Sequence, residues 1–330
     1  MNPNPKTMRA WIVDAPDAPF RETELPIPEP RAGEVLVRVE ASGVNPLDTK
    51  IRAGSAAHAR HPLPAVLGID LAGSVERVGE GVSGFAPGDA VWGAAGGVGG
   101  IGGSMAQWVA VDARLLARQP TGLSMREAAA LPLAAITAWE GLVDNARVQA
   151  GESVLVIGAA GGVGHVATQL ALARGARVFG VASERDAGYL RSLGAHFVDR
   201  AAAVEAWVDE HTGGRGFDVV YDSVGALDAA FQAVRPFGRV TSALGWGTVS
   251  LSPLSLRSAQ YAGVFTLRPL LTGQGREAHG QILVKTAALV EAGRLSPRLE
   301  PRRFAIDQAD AAHARVREGQ ARGKVVLELG

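Results

Sequence analysis

A chain of 330 residues is long enough for two ordinary domains, each with its own core. Its 33 Lys plus Arg balance 33 Asp plus Glu, so net charge draws it neither to nucleic acid nor to an anionic membrane, and no such partner is expected. It has no cysteine, which excludes disulfides, thiolate nucleophiles, iron–sulfur clusters and cysteine-ligated zinc together.

Residues 1–7 are polar, broken by proline and without an apolar h-region, and read as a frayed tail rather than a signal peptide. From Arg9 to about Trp139, short β-branched runs are divided by Gly and Pro. In Val35-Leu36-Val37-Arg38-Val39 apolar and polar positions follow the period of two that marks antiparallel β structure. The glycine-dense stretch 93–103 reads as a mobile loop. The most apolar stretch, 128–139, contains Pro132 and falls short of the roughly 20 residues of a membrane span, so a cytoplasmic protein is expected. From Glu152 to about Thr266 the pattern changes to apolar strands alternating with helix-length amphipathic segments, the signature of βαβ units and a parallel sheet. Strands are predicted over 154–157, 178–182, 196–198, 218–221, 240–243 and 264–266. Between two of them Val204, Trp207, Val208 and His211 fall on one helical face. Beyond Gly273 the pattern predicts a helix over 277–291, a helix opening at Asp307 and a last strand over 324–329.

Two segments carry glycine fingerprints, and context separates them. Gly97, Gly99 and Gly102 fit G-x-G-x-x-G, but Gly102 is followed by Gly103 and a run through Trp108-Val109-Ala110-Val111 that reads as a strand. The fingerprint works only where a strand feeds the turn and a helix leaves it, because pyrophosphate then meets free N–H groups at the positive end of the helix dipole. The second segment meets that demand. Val154-Leu155-Val156-Ile157 runs into Gly158-Ala159-Ala160-Gly161-Gly162-Val163-Gly164, and Val163, Val166, Ala167 and Leu170 then share one helical face that Gly175 closes. Dinucleotide binding is the expected task. An NAD-selective site ends its second strand on Asp or Glu, whereas a 2′-phosphate wants a small polar residue and an arginine. Here the strand runs out in Val181-Ala182-Ser183-Glu184-Arg185, so Ser183 and Arg185 favour NADPH. Glu184 argues the other way unless it complements a helix dipole.

Two further runs complete the pattern: Val75-Glu76-Arg77-Val78-Gly79-Glu80-Gly81-Val82-Ser83-Gly84-Phe85-Ala86-Pro87-Gly88-Asp89-Ala90-Val91, and Phe217-Asp218-Val219-Val220-Tyr221-Asp222-Ser223-Val224-Gly225. With the glycine turn they resemble, over nearly the whole chain, the medium-chain dehydrogenase/reductase superfamily, and within it the zinc-independent quinone oxidoreductase (zeta-crystallin-like) branch. The resemblance implies an α/β protein: a GroES-like β domain over 1–134, completed by 273–330, and a Rossmann doubly wound parallel-sheet domain over 135–272. Zinc-dependent members carry a Cys after the Gly-Val of the first domain and a later His-Glu pair. This chain has Gly43-Val44-Asn45 and Gly68-Ile69-Asp70 there, and His58 and His61 beside Pro62 read as surface residues, so no metal is expected.

The resemblance further places Asn45 and Asp48 of Asn45-Pro46-Leu47-Asp48 near the nicotinamide. The residues themselves leave another role open, since Asn45 as N-cap, Pro46 at the first position and Asp48 in the first turn make a well-capped short helix. Thr137 matches a cofactor-contacting Thr, with capping or packing as its other role. Leu244, Gly245, Phe265, Leu267 and Lys324 match segments near the nicotinamide or the domain cleft. Two departures stand out: Ser55 follows Arg52-Ala53-Gly54 where several relatives have Tyr, and Arg200 stands where relatives often place Tyr near the adenosine phosphate. Arg200 either serves the 2′-phosphate or is solvated. Trp92, Trp108 and Trp246 either wall a flat substrate or pack in the core.

The expected reaction is hydride transfer from NADPH to a quinone or α,β-unsaturated carbonyl, with the Asn45 amide or the cofactor ribose stabilising charge on oxygen. No G-x-S-x-G elbow is present and Val325, not Ser or Thr, follows Lys324, which disposes of hydrolase and P-loop readings. The remaining rival is a non-catalytic NADPH-binding protein of the same fold. The resemblance also implies a homodimer joined near residues 264–266, which covers an exposed strand.

Overall fold

The computed structural model describes residues 6–329. Residues 1–5 of the expected tail lie outside them, and Thr7 already belongs to the strand Thr7–Val13. The chain divides into two compact units, Met1–Leu133 with Leu267–Glu291 and Pro297–Gly330, and Ala134–Thr266 with Ala292–Ser296. No described helix is long and apolar enough to cross a membrane.

In the first unit, the β-branched run at 35–39 lies within an 11-residue strand, Glu34–Val44, with Val35, Leu36, Val37 and Val39 buried. Asp70–Val78 pairs antiparallel along one edge of it, and Trp108–Asp112 and Val325–Glu328 share the other. Ala90–Ala94 and Leu116–Arg118 extend the sheet on one side, and Phe304–Ala305 closes the other. A separate three-stranded sheet orders Arg21–Pro26, Thr7–Val13 and Ala65–Val66. Two registers matter for function. Gly43 faces Asp70 and Val44 faces Val325, so the next residues outward, Asn45 and Lys324, meet at the end of the sheet. Gly43 has to be glycine, because a Cβ there would stand 2.3 Å from the carbonyl oxygen of Ala129 and 2.9 Å from the Asp70 Cβ.

The glycine-dense stretch is not the mobile loop expected. Residues 93–98 are buried, Gly99 N–H donates to Ala59 O at 2.8 Å, and a Cβ on Gly96 or Gly103 would lie 2.0 or 2.1 Å from a carbonyl oxygen. These glycines permit close backbone packing; composition alone does not distinguish that from looseness. His61, expected at the surface, is half-buried, and its Nδ1 accepts from Gly100 N–H at 3.2 Å. The stretch leads into Trp108–Asp112 with no helix after Gly102, which settles the first fingerprint as a decoy.

The second unit holds a six-stranded parallel sheet in the spatial order His196–Asp199, Arg177–Ala182, Ser153–Ile157, Phe217–Asp222, Val234–Ser242, Gln260–Gly263. The chain therefore starts at the middle, winds outward one way and then the other, which leaves the crevice of a doubly wound sheet between Ser153–Ile157 and Phe217–Asp222. Val204 and Val208 pack on the core that buries Trp207, Phe217 and Phe231, and His211 lies against Phe179, so the predicted helical face forms in Val204–Thr212. The sixth strand departs from expectation: it is Gln260–Gly263, and residues 264–266 follow it. This strand lies at the sheet edge, where Gln260, Tyr261 and Gly263 are exposed, and such a strand lacks the apolar run by which a buried one is recognised. At the chain's end the helices are Arg276–Glu291 and, after a 3-10 turn at Ile306–Gln308, Ala309–Arg317.

Candidate active site

The second unit carries the features of a dinucleotide site. Gly158 takes a φ of +80° at the end of Ser153–Ile157, and the N–H groups of Gly158 and Ala159 both donate to Val181 O at 3.1 Å. The turn is thus tied to the end of the neighbouring strand. A Cβ at Gly164 would stand 2.0 Å from Gly158 O, so only glycine lets the helix Gly164–Ala173 start this close to the strand. The N–H groups of Gly162 and Val163 find no backbone acceptor among the described residues and stand at that helix's positive end. Those donors, on a turn where Gly161, Gly162 and Gly164 carry no side chain, fit a pyrophosphate.

Past the second strand the donor set is less simple than the sequence suggested. The Ser183 hydroxyl donates to Asp186 Oδ2 at 2.7 Å, and the same oxygen lies 3.5 Å from Arg185 Nε. Arg200 N–H donates to Ala182 O at 3.0 Å, which sets Arg200 beside Ser183. The backbone of Arg200 therefore lies beside Ser183, and the Ser183 and Arg185 side chains meet at a carboxylate that sequence reading missed. Asp222, buried at the end of the fourth strand, takes the N–H groups of Val224, Gly225 and Ala226 and the Ser242 hydroxyl, and Leu244 N–H donates to that hydroxyl at 3.1 Å. Gly245 packs under Tyr261, whose Oη would be 2.0 Å from a Cβ. Phe265 meets Trp246 edge to face at 5.9 Å, both partly exposed. Thr137 is buried in the helix Pro132–Trp139 and its carbonyl accepts from the Tyr221 hydroxyl at 3.2 Å. Trp92 is core, and Leu267 is buried in the first unit, just before the helix Arg268–Thr272.

The first unit brings Asn45, Asp48, Asp70 and Lys324 into one cluster, each no more than 5% exposed. Asn45 is indeed the N-cap of Pro46–Arg52, but the capping is done by Asp48, whose Oδ2 accepts from Asn45 N–H at 2.7 Å. The Asn45 side chain turns elsewhere. Its Nδ2 donates to Asp70 Oδ2 at 2.9 Å, and its Oδ1 accepts from Lys324 Nζ. These neighbours settle the amide's orientation, since an ammonium only donates and a carboxylate only accepts. Lys324 also lies 3.4 Å from Asp70 Oδ2, and Asp70 Oδ1 accepts from Leu133 N–H at 2.8 Å. Asp70 is the residue sequence reading passed over; a lone acid inside Leu67-Gly68-Ile69-Asp70-Leu71-Ala72 was the available signal.

Two carboxylates and one ammonium out of water leave an excess negative charge, which a bound proton removes most cheaply. Burial pushes Asp48 up to about 7, with the Asp70 charge adding to it and the Asn45 N–H and Lys324 opposing. Burial also raises Asp70, against the pull of Lys324 and the Asn45 amide. Asp48 Oδ1 has no hydrogen-bond partner among the described residues, so it is the oxygen free to carry the proton. Among the described residues no three His, Asp or Glu side chains are grouped to hold a metal ion.

A GroES-like β unit with an intruding C-terminal strand, joined to a doubly wound unit with a glycine-lined dinucleotide turn, defines a two-domain oxidoreductase. Residues 31–121 match the family model described as alcohol dehydrogenase GroES-like domain, and residues 193–327 that described as zinc-binding dehydrogenase. The chloroplastic NADPH-dependent alkenal/one oxidoreductase of Arabidopsis thaliana is 32% identical, over 98% of this chain and 80% of that protein. The quinone oxidoreductase of Homo sapiens is 29% identical, over 98% of each. The crystal structure of an alcohol dehydrogenase superfamily protein from Novosphingobium aromaticivorans superposes with a TM-score of 0.96 at 52% identity, over 98% of this chain and 100% of that one. The chain belongs to the medium-chain dehydrogenase/reductase superfamily, in its quinone oxidoreductase branch.

Proposed function

We propose that this chain is an NADPH-dependent reductase that delivers hydride, without zinc, to a small quinone, enone or enal, and that it works in the cytoplasm as a homodimer. The observation that carries the reading is the Asn45 carboxamide clamped between the Lys324 ammonium and the Asp70 carboxylate. A carboxamide whose oxygen accepts from a cation is a stronger donor at nitrogen, because linked hydrogen bonds polarise one another. One Nδ2 hydrogen is committed to Asp70, and the other is left for negative charge developing on a substrate oxygen. Burial raises Asp48 to about 7, so its carboxyl is partly protonated at neutral pH and offsets part of the second negative charge facing the Lys324 ammonium. When bound, the nicotinamide cofactor supplies the hydride.

The same cluster argues against zinc. A metal ion there would need Asn45 Oδ1 and Asp70 Oδ2, the atoms already accepting from Lys324, and a fixed ammonium repels a divalent cation. Ile69 offers no ligand, and the chain has no thiolate. For the cofactor, Gly162 and Val163 N–H groups suit the pyrophosphate, and Arg185 and Arg200 a 2′-phosphate; the Arabidopsis relative is named for NADPH and for alkenals and enones. Assembly is read from Gln260–Gly263, which pairs on one side only with Val234–Ser242 and offers its other edge to a second copy.

The test is steady-state NADPH oxidation over a panel of quinones, enones, enals, simple aldehydes and alcohols. Conjugated acceptors are expected to turn over much faster than the rest, since nothing in the cluster activates an isolated alcohol. Tight NADPH binding with no oxidation of any acceptor would make the chain a non-catalytic binding protein instead, and efficient oxidation of simple alcohols would overturn the proposal.

A further inference from the structure

The end of Arg177–Ala182 carries a carboxylate in the middle of the groups best suited to a 2′-phosphate. Asp186 occupies the N-cap position of the helix Ala187–Ser192, yet its side chain makes no capping bond there. It turns back instead, accepting from the Ser183 hydroxyl at 2.7 Å and standing 3.5 Å from Arg185 Nε. We propose that Asp186 sets how strongly this chain discriminates between adenine dinucleotides with and without a 2′-phosphate, holding the preference small by occupying the phosphate's donors itself. The proposal rests on the dinucleotide reading above and sharpens it.

A serine hydroxyl has a single hydrogen, and here it is committed to Asp186 Oδ2. A phosphate dianion only accepts, so it gains nothing from Ser183 until that bond breaks, and it meets the Asp186 charge as well. Arg185 is solvent-exposed over 64% of its side chain and shares part of its charge with Asp186, which is only 14% exposed. A ribose 2′-hydroxyl is a different guest. It donates as well as accepts, so it bonds the Asp186 carboxylate while the Ser183 bond stands. Arg200, whose N–H bond to Ala182 O sets its backbone beside Ser183, is a second cation for the phosphate.

The test is equilibrium binding of NADPH and NADH, followed by calorimetry, to wild type, Asp186→Asn, Ser183→Ala and the double variant. Asp186→Asn keeps the shape and an acceptor oxygen but removes the charge, and it should tighten NADPH by about tenfold while leaving NADH unchanged or weaker. In that background the serine hydrogen is released to the phosphate, so Ser183→Ala should weaken NADPH more than it does in wild type. A merely structural role for Asp186 would move both cofactors by the same factor, and that result, or a larger loss for NADPH than for NADH, would overturn the proposal. Wild type that binds neither dinucleotide would instead bring down the dinucleotide reading, and this inference with it.

Discussion

Replacing Asp48 with asparagine probes the proton held in the buried cluster. Folding lifts the Asp48 carboxyl from 3.8 to about 7, chiefly through burial. The folded state therefore binds a proton that the unfolded state releases, so this group's contribution to stability is fully present below about pH 4 and is lost as pH rises through 7. Each pH unit between the two values is worth about 1.4 kcal/mol, so between pH 5 and pH 8 this group alone should remove roughly 2.5 kcal/mol of stability from the wild type. Asparagine keeps an acceptor for the Asn45 N–H, which now meets Asp48 Oδ2 at 2.7 Å, and has nothing to titrate. Urea unfolding of both proteins at pH 5 and pH 8 should then show the variant losing about 2.5 kcal/mol less than wild type over that interval. Parallel losses would mean that Asp48 is ionised in the folded state throughout, and the charge balance argued for Asn45, Asp70 and Lys324 would be wrong.

Asn45→Ala should lower kcat by about tenfold or more, the loss of one oriented donor worth about 1.4 kcal/mol, with NADPH affinity nearly intact; stopped-flow oxidation with an enone reads both. Arg185→Ala should weaken NADPH more than NADH, by about 1 kcal/mol because the side chain is largely exposed, and equal losses measured by calorimetry would contradict its assignment. Prolonged chelation should change neither activity nor Tm, and tightly bound stoichiometric zinc whose removal abolishes activity would refute the zinc-free reading. Light scattering across a concentration series should give a dimer, and a monomer throughout would count against pairing at Gln260–Gly263.

What sequence made legible here was whatever repeats locally. The glycine turn at 158–164 announced itself because a buried strand, a tight turn and a helical face follow one another in a few residues, and Val204, Trp207, Val208 and His211 showed their face for the same reason. The sixth strand was misplaced because an edge strand such as Gln260–Gly263 is half polar and lacks a buried strand's run. Glycines 93–103 were misread because composition reports missing side chains, not whether neighbouring backbone has filled the space. Asn45 and Asp48 were legible as a capped helix start, and the division of labour between them was not: it depends on Asp70 and Lys324, 25 and 279 residues away from Asn45, which only the strand registers bring alongside. Asp186 was missed although it is three residues from Ser183, since an acid just inside a helix start looks like a dipole complement until its side chain is seen to turn back.

The most direct test of the central claim follows the hydride itself. Metal-stripped protein is given NADPH deuterated at the transferable position of the nicotinamide together with a simple enone, and the product is examined by mass spectrometry and proton NMR. One deuterium is expected in the saturated ketone, at the carbon β to the carbonyl, in the presence of chelator. Deuterium on the carbonyl carbon of an allylic alcohol, or no transfer until zinc is restored, would contradict it.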